Sequence, residues 1–143
     1  MPSIARIEEL AQEFTRIRRE FHAHPELSNQ EFETSKKIAQ YLTQWGIEVH
    51  TGIGGTGVVG VLKNGNGTKR IALRADMDAL PITEANHFEH ASKNTGVMQP
   101  AATMVISRDF CWLPVIFPKR KTSTVRSFLS SNPVKKADSA LNT

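Results

Sequence analysis

An α/β fold in which helices cover a mixed sheet is the architecture this sequence predicts, and two observations predict it. Apolar residues recur at steps of three and four through the first 45 positions, then at shorter steps from 47 to 74. Two helices should therefore precede three strands. Clusters of Gly and Asn punctuate the strand-like runs, as turns between strands require.

Residues 4–22 place Ile4, Ile7, Leu10, Ala11, Phe14, Ile17 and Phe21 on one stripe, with Glu8, Glu9, Glu13, Arg16 and Arg19 on other faces. That pattern predicts an amphipathic helix with one buried side. It should stop near His24, because Pro25 disfavours helical geometry in the residue before it. A second helix should open at Ser28-Asn29-Gln30-Glu31, where a serine followed three residues later by glutamate can satisfy two free amides reciprocally. Phe32, Ile38, Leu42 and Trp45 supply its apolar face, and Gly46 is a left-handed terminator. Three strands follow, at 47–50, 57–62 and 69–74. Asn64-Gly65-Asn66-Gly67 is a tight-turn signal, which predicts that the last two strands pair antiparallel. Gly52, Gly54, Gly55 and Gly57 lack the spacing of a phosphate-binding loop, and no Lys-Ser/Thr pair follows them.

Composition divides the chain in two. Residues 1–98 hold all nine glycines and all five histidines, with 11 Lys+Arg against 12 Asp+Glu. Residues 99–143 hold no glycine or histidine, and carry 7 Lys+Arg against 2 Asp+Glu with ten Ser+Thr. The formal charge of +4 over 143 residues therefore belongs to the tail. A single Cys111 excludes an internal disulfide framework. Without an apolar signal core or a membrane-length run, the sequence predicts a cytoplasmic protein.

The chemistry-bearing stretch is Arg74-Ala75-Asp76-Met77-Asp78-Ala79-Leu80-Pro81, directly behind the apolar run Ile71-Ala72-Leu73. Two acids one residue apart at a strand end present oxygen ligands or a general base to a crevice. The plain alternative is that Asp76 and Asp78 cap a turn or pair with Arg74. His87 and His90 are three apart, a spacing a metal pair could use on a helix, but no Glu stands in metallopeptidase spacing and surface or packing roles are favoured. His22 and His24 at the helix exit are read as structural.

Arg18-Arg19-Glu20-Phe21-His22-Ala23-His24-Pro25-Glu26-Leu27-Ser28 with Glu31, then Thr56-Gly57-Val58-Val59-Gly60, then Leu73 through Ile82 closely resemble the N-terminal part of bacterial hippurate hydrolases and plant auxin-conjugate hydrolases. These are N-acyl-amino-acid amidohydrolases of the metal-dependent aminoacylase and carboxypeptidase clan. The resemblance covers residues 1–98 and continues through His90-Ala91-Ser92, Asn94 and Gly96-Val97-Met98. It implies an incomplete N-terminal piece of a metallohydrolase catalytic domain, followed by a non-native basic tail that is disordered or poorly packed. By resemblance, intact relatives use a divalent metal pair, zinc or manganese, to activate water against a small N-acyl amino acid, with a carboxylate moving the proton. By resemblance Asp78 matches the position associated with the metal site, as an acid that orients or tunes a ligand, and Asp76 is its weaker catalytic companion. No metal is expected on this chain.

In that family the next residues read His-Ala-Cys-Gly-His-Asp-Gly-His, and later Phe-Gln-Pro-x-Glu-Glu; neither motif is present. Gln99 to Ile106 can be encoded as CAG CCT GCG GCC ACG ATG GTC ATA. Read from the third base of the Gln99 codon, that becomes GCC TGC GGC CAC GAT GGT CAT, which spells Ala-Cys-Gly-His-Asp-Gly-His. At the same offset, Phe110 into Cys111 and Cys111 into Trp112 each must give Leu. The codons around 121–126 permit Phe-Asp-Gly-Thr-Val, and those around 130–137 permit Ile-Phe-Gln-Pro-Gly-Glu-Glu-Gly. A base lost in the histidine codon after Met98 therefore accounts for the tail, and predicts an inactive fragment. A rival expectation is that Lys119-Arg120-Lys121, Arg126 and Lys135-Lys136, with Phe110, Trp112, Phe117 and Phe128, bind nucleic acid or an anionic membrane. No recognisable motif organises those charges, so no specific partner of either kind is predicted. Cys111 has no partner histidine in the tail and is not a nucleophile candidate.

Overall fold

The computed structural model describes residues 4–62, 70–100 and 124–129. Helix α1 (Ile4–Ala23) and helix α2 (Phe32–Gln44) precede strands β1 (Glu48–Ile53), β2 (Gly57–Leu62) and β3 (Arg70–Ala75), and β4 (Thr124–Leu129) completes a four-stranded sheet. Among the described residues no helix is long and apolar enough to cross a membrane.

Helix α1 ends where Pro25 requires, with the His24 amide still donating to the Phe21 carbonyl (3.1 Å). Helix α2 departs from expectation at its start. Asn29 sits in the left-handed region (φ 66°), which a short polar side chain tolerates, so the chain turns at Ser28–Asn29 and the helix opens at Phe32. Glu26 satisfies two of its first-turn amides: Glu33 N–H and Thr34 N–H donate to the two Glu26 carboxylate oxygens (3.3 and 2.7 Å). At 3.6 residues per turn Phe32 falls off the stripe shared by Ile38 and Leu42, so it is 67% exposed while those two are buried as expected. The helix closes as predicted. Gly46 takes φ 74°, its N–H donates to Thr43 O (2.9 Å) and Ile47 N–H reaches Leu42 O (3.0 Å), which satisfies the last carbonyls.

The sheet order is β1-β2-β4-β3. Strands β1 and β2 form an antiparallel hairpin, and the glycine loop is its turn, with a bulge between Thr51 and Ile53 where Gly52 takes φ 77°. The expected antiparallel pairing of β2 with β3 is not present. β4 lies between them, antiparallel to β2 and parallel to β3, so β2 and β3 run in opposite directions but are not neighbours. Alternation identifies a strand without naming which strand fills the slot beside it; open backbone amides on two facing edges accept any strand of suitable register. The Asn64–Gly67 turn lies outside the described residues, as does the tail except for Gln99, Pro100 and β4.

α2 packs on β1 and β2, and Ile38, Leu42, Ile47, Val58, Ala75 and Met77 form the main core. Leu10, Phe14 and Ile17 of α1 form a second cluster, joined to the first through Phe21 and Trp45. Trp45 packs against Phe14 (5.5 Å between ring centroids) and stacks on Tyr41 (5.8 Å).

Candidate active site at the end of β3

The two-residue period of β3 continues past its last hydrogen-bonded residue. Ala75, Met77 and Ala79 are buried, while Asp76 and Asp78 are half-buried and Arg74 and Leu80 are exposed. Packing of the three apolar side chains therefore sets Arg74, Asp76 and Asp78 on the opposite side of the segment.

Neighbouring backbone fixes this segment at both edges. Ala79 N–H donates to Glu26 O (2.8 Å) beside a parallel bridge between Leu27 and Ala79. Leu80 and Met98 exchange backbone hydrogen bonds at 2.9 and 3.0 Å. The buried Gln99 side chain donates from Nε2 to Met77 O (3.1 Å). The residues preceding α2 thus brace one edge, and the last residues before the tail brace the other.

The two predicted acids have different surroundings. Asp76 Oδ1 accepts from Arg74 Nε (3.1 Å) and Nη2 (2.8 Å), the ion pair anticipated as the plain alternative. For Asp78, burial pushes the carboxyl above its ordinary value; the charges of Asp76 and Glu31 add to the rise, against its own backbone hydrogen bond and Arg74. A carboxyl so placed can hold or move a proton nearer neutral pH than a solvated aspartate can. Glu31 is the participant sequence reasoning missed, because its place after Ser28 suggested a capping role. Its side chain instead turns inward and is fully buried; Oε2 accepts from the Thr56 hydroxyl (2.7 Å), and Oε1 has no hydrogen-bond partner among the described residues.

A raised carboxyl disfavours the charged native state, so Asp78 lowers stability above its folded pKa and stops doing so as pH falls through it. Asp78→Asn is therefore expected to raise the melting temperature at pH 7, with a smaller gain at pH 3. An unchanged or lowered value at pH 7 would contradict the assigned surroundings.

Among the described residues no three His, Cys, Asp or Glu side chains converge to hold a metal ion. The described donor set therefore does not fit a metal pair: Asp76 is engaged by Arg74, and no histidine joins Asp78 in such a group. The histidines lie elsewhere. His22 Nε2 is 2.9 Å from Glu84 Oε1, His24 and His87 are exposed, and His90 stacks on Phe88 (4.2 Å). Glu84 also accepts from Ser92 N–H (2.6 Å) and Asn86 Nδ2 (3.1 Å). Burial pushes its carboxyl up, but these hydrogen bonds outweigh burial and hold it at about 2. With Lys93 N–H on Ala23 O (2.9 Å) and Asn94 Nδ2 on Pro25 O (2.7 Å), the network fastens the 84–94 loop to the exit of α1. His22 takes part in this fastening through its contact with Glu84. Cys111 and the basic and aromatic residues at 110–121 and 135–136 lie outside the described residues.

No family model matches the chain. It is 50% identical over 98 residues to the hippurate hydrolase of Campylobacter jejuni, covering 68% of this chain and 26% of the relative. It is 42% identical over 96 residues to the IAA-amino acid hydrolase ILR1-like 5 of Arabidopsis thaliana, covering 67% and 22%. Among solved structures it superposes on the YxeP protein of Bacillus subtilis, described as a dinuclear metal binding peptidase from the M20 family, with a TM-score of 0.77 and 34% identity over 85% of this chain and 35% of that one. The chain spans about a quarter of the length of the curated relatives it matches.

Proposed function

We propose, on the premise of this kinship with metal-dependent amidohydrolases and M20 peptidases, that the chain is the opening piece of a hippurate-type amidohydrolase and is itself an inactive fragment. The observation that carries the proposal is the junction at Met98–Gln99. The match to hippurate hydrolase spans 98 residues, and beyond Met98 the codons, read from the third base of the Gln99 codon, permit the missing metal motif. Gln99, where relatives of this type carry histidine, remains buried and donates to Met77 O, which supports a local fold kept through that position.

In the intact form a zinc or manganese pair would supply an activated water and polarise the amide carbonyl of a small N-acyl amino acid. This chain's part is narrower. Asp78 holds or moves a proton at its carboxylate, Asp76 is kept in place by Arg74, and Glu31 with Thr56 backs the segment from inside. No step through the metals is assigned to residues that cannot hold them. The tail contributes no function to this reading, and a cytoplasmic setting suits a chain with one cysteine.

The test is hydrolysis of hippurate by the purified 143-residue chain supplied with Zn²⁺ or Mn²⁺. Glycine release should match that of the Asp78→Asn variant and of buffer alone. Turnover that Asp78→Asn abolishes would refute the proposal.

A further inference from the structure

Away from the β3 site, a cleft of about 780 Å³ opens between the outer side of α1 and the 89–93 loop, within the size range of small-molecule sites. Arg16, Arg19, His24, His90 and Lys93 line it, and Glu89 is its unpaired acid among the described residues. Glu20 also reaches the cleft, but Lys37 Nζ (2.8 Å) and the Tyr41 hydroxyl (3.1 Å) engage both of its oxygens. The Lys37 hydrogen bond leads in holding that carboxyl below its ordinary value, so it stays an occupied anion that does not compete for Arg19 or Lys93. Among the described residues neither Arg19 nor Lys93 has an ion-pair partner, and Arg16 reaches Glu20 only at 3.9 Å.

Two independent parts of the chain bring these cations together. Arg16 and Arg19 are one helical step apart on α1, whereas Lys93 is placed by its own backbone, whose N–H is fixed to Ala23 O at 2.9 Å. The loop that carries Lys93 and His90 is held by the His22–Glu84–Ser92 network, so the groups on the two walls face one another across a braced gap. Guanidinium, ammonium and imidazole donors around one opening form the donor set that recognises a phosphate group, with Arg supplying the planar fork and Lys the point charge.

We propose that this cleft is an anion site that binds a phosphate group through Arg19 and Lys93, with His24 and His90 as flanking donors. The site is independent of the amidohydrolase reading, since it uses none of Glu31, Asp76 or Asp78. The local field agrees with it: partial desolvation and the positive charges of Arg19, His22 and Arg18 hold the His90 imidazole below its ordinary value, and an anion entering the cleft would relieve that repulsion.

The experiment is a titration of the full chain with inorganic phosphate at pH 7, against chloride of equal ionic strength, following the His24 and His90 imidazole proton resonances. Saturable shifts with a dissociation constant of about millimolar are expected. The Arg19→Ala/Lys93→Ala double variant, altered only at exposed side chains, should bind about tenfold more weakly while keeping its helical circular dichroism. Lys36→Ala, which removes an exposed cation outside the cleft, should leave binding unchanged. Adenosine 5′-monophosphate provides the second arm: tighter binding than inorganic phosphate assigns the site to a nucleotide, and equal binding to the free ion. Non-saturating shifts, an undiminished affinity in the double variant, or an equal loss in Lys36→Ala would overturn the proposal.

Discussion

On the proposed loss of one base, returning that base to the gene at the Gln99 codon is expected to turn the chain into a metal-dependent amidohydrolase. Hippurate hydrolysis should rise from background to a rate at least about a million-fold above the uncatalysed reaction, the lower end of what enzymes achieve. The size of the change follows from what the frame controls. Residues up to 98 supply Asp78 and the segment that holds it, but the described donors do not make a metal site, so no activated water is at hand to attack the amide. In the repaired enzyme, Asp78→Asn should then cost about 10²–10⁴ in kcat, the usual weight of a proton-moving group. A repaired protein that stays at background would show that residues 1–98 no longer carry a usable half of the site.

The second large effect concerns stability in acid. Glu84 is held at about 2 against an ordinary 4.5, so its contribution is complete above pH 4.5 and is lost as pH falls toward 2. With Glu84 ionised, the 2.9 Å contact requires a proton on His22 Nε2, and protonating the carboxylate removes the charge that makes this bond and the Ser92 bond strong. Glu84→Gln should cost about 1.5–3 kcal/mol at pH 7, the range for hydrogen bonds to a charged group. It should cost little at pH 2, so the wild-type and variant unfolding midpoints converge between those limits. A constant difference from pH 7 to pH 2 would mean that Glu84 acts through packing and not through charge.

Sequence reasoning located the elements more securely than their partners. The α1 stripe and the Gly46 terminator were legible because each depends on local spacing and backbone geometry alone. The hairpin of β1 and β2 was legible only in part. Its strands were visible, whereas the glycine loop showed what it was not before it showed itself as a bulged turn. The start of α2 was misread because Ser28 and Glu31 have capping-box spacing, and a turn at Asn29 with a buried bond to Thr56 overrode it. That bond joins residues 25 apart, and no local pattern announces it. The same holds for Glu84, whose partner His22 is 62 positions away, and for β4, which enters the sheet from beyond residue 99. At the candidate site, the positions of Asp76 and Asp78 were legible from the apolar run before them. Their unequal surroundings depended on Arg74, Glu31 and burial, which only the folded chain brings together.

The account is tested most directly by reading the coding DNA from the Met98 codon to the codon for Ala137. Taken from the third base of the Gln99 codon, it should spell Ala-Cys-Gly-His-Asp-Gly-His, and farther on Phe-Gln-Pro-Gly-Glu-Glu. Synonymous codons that spell neither motif at that offset would contradict the account.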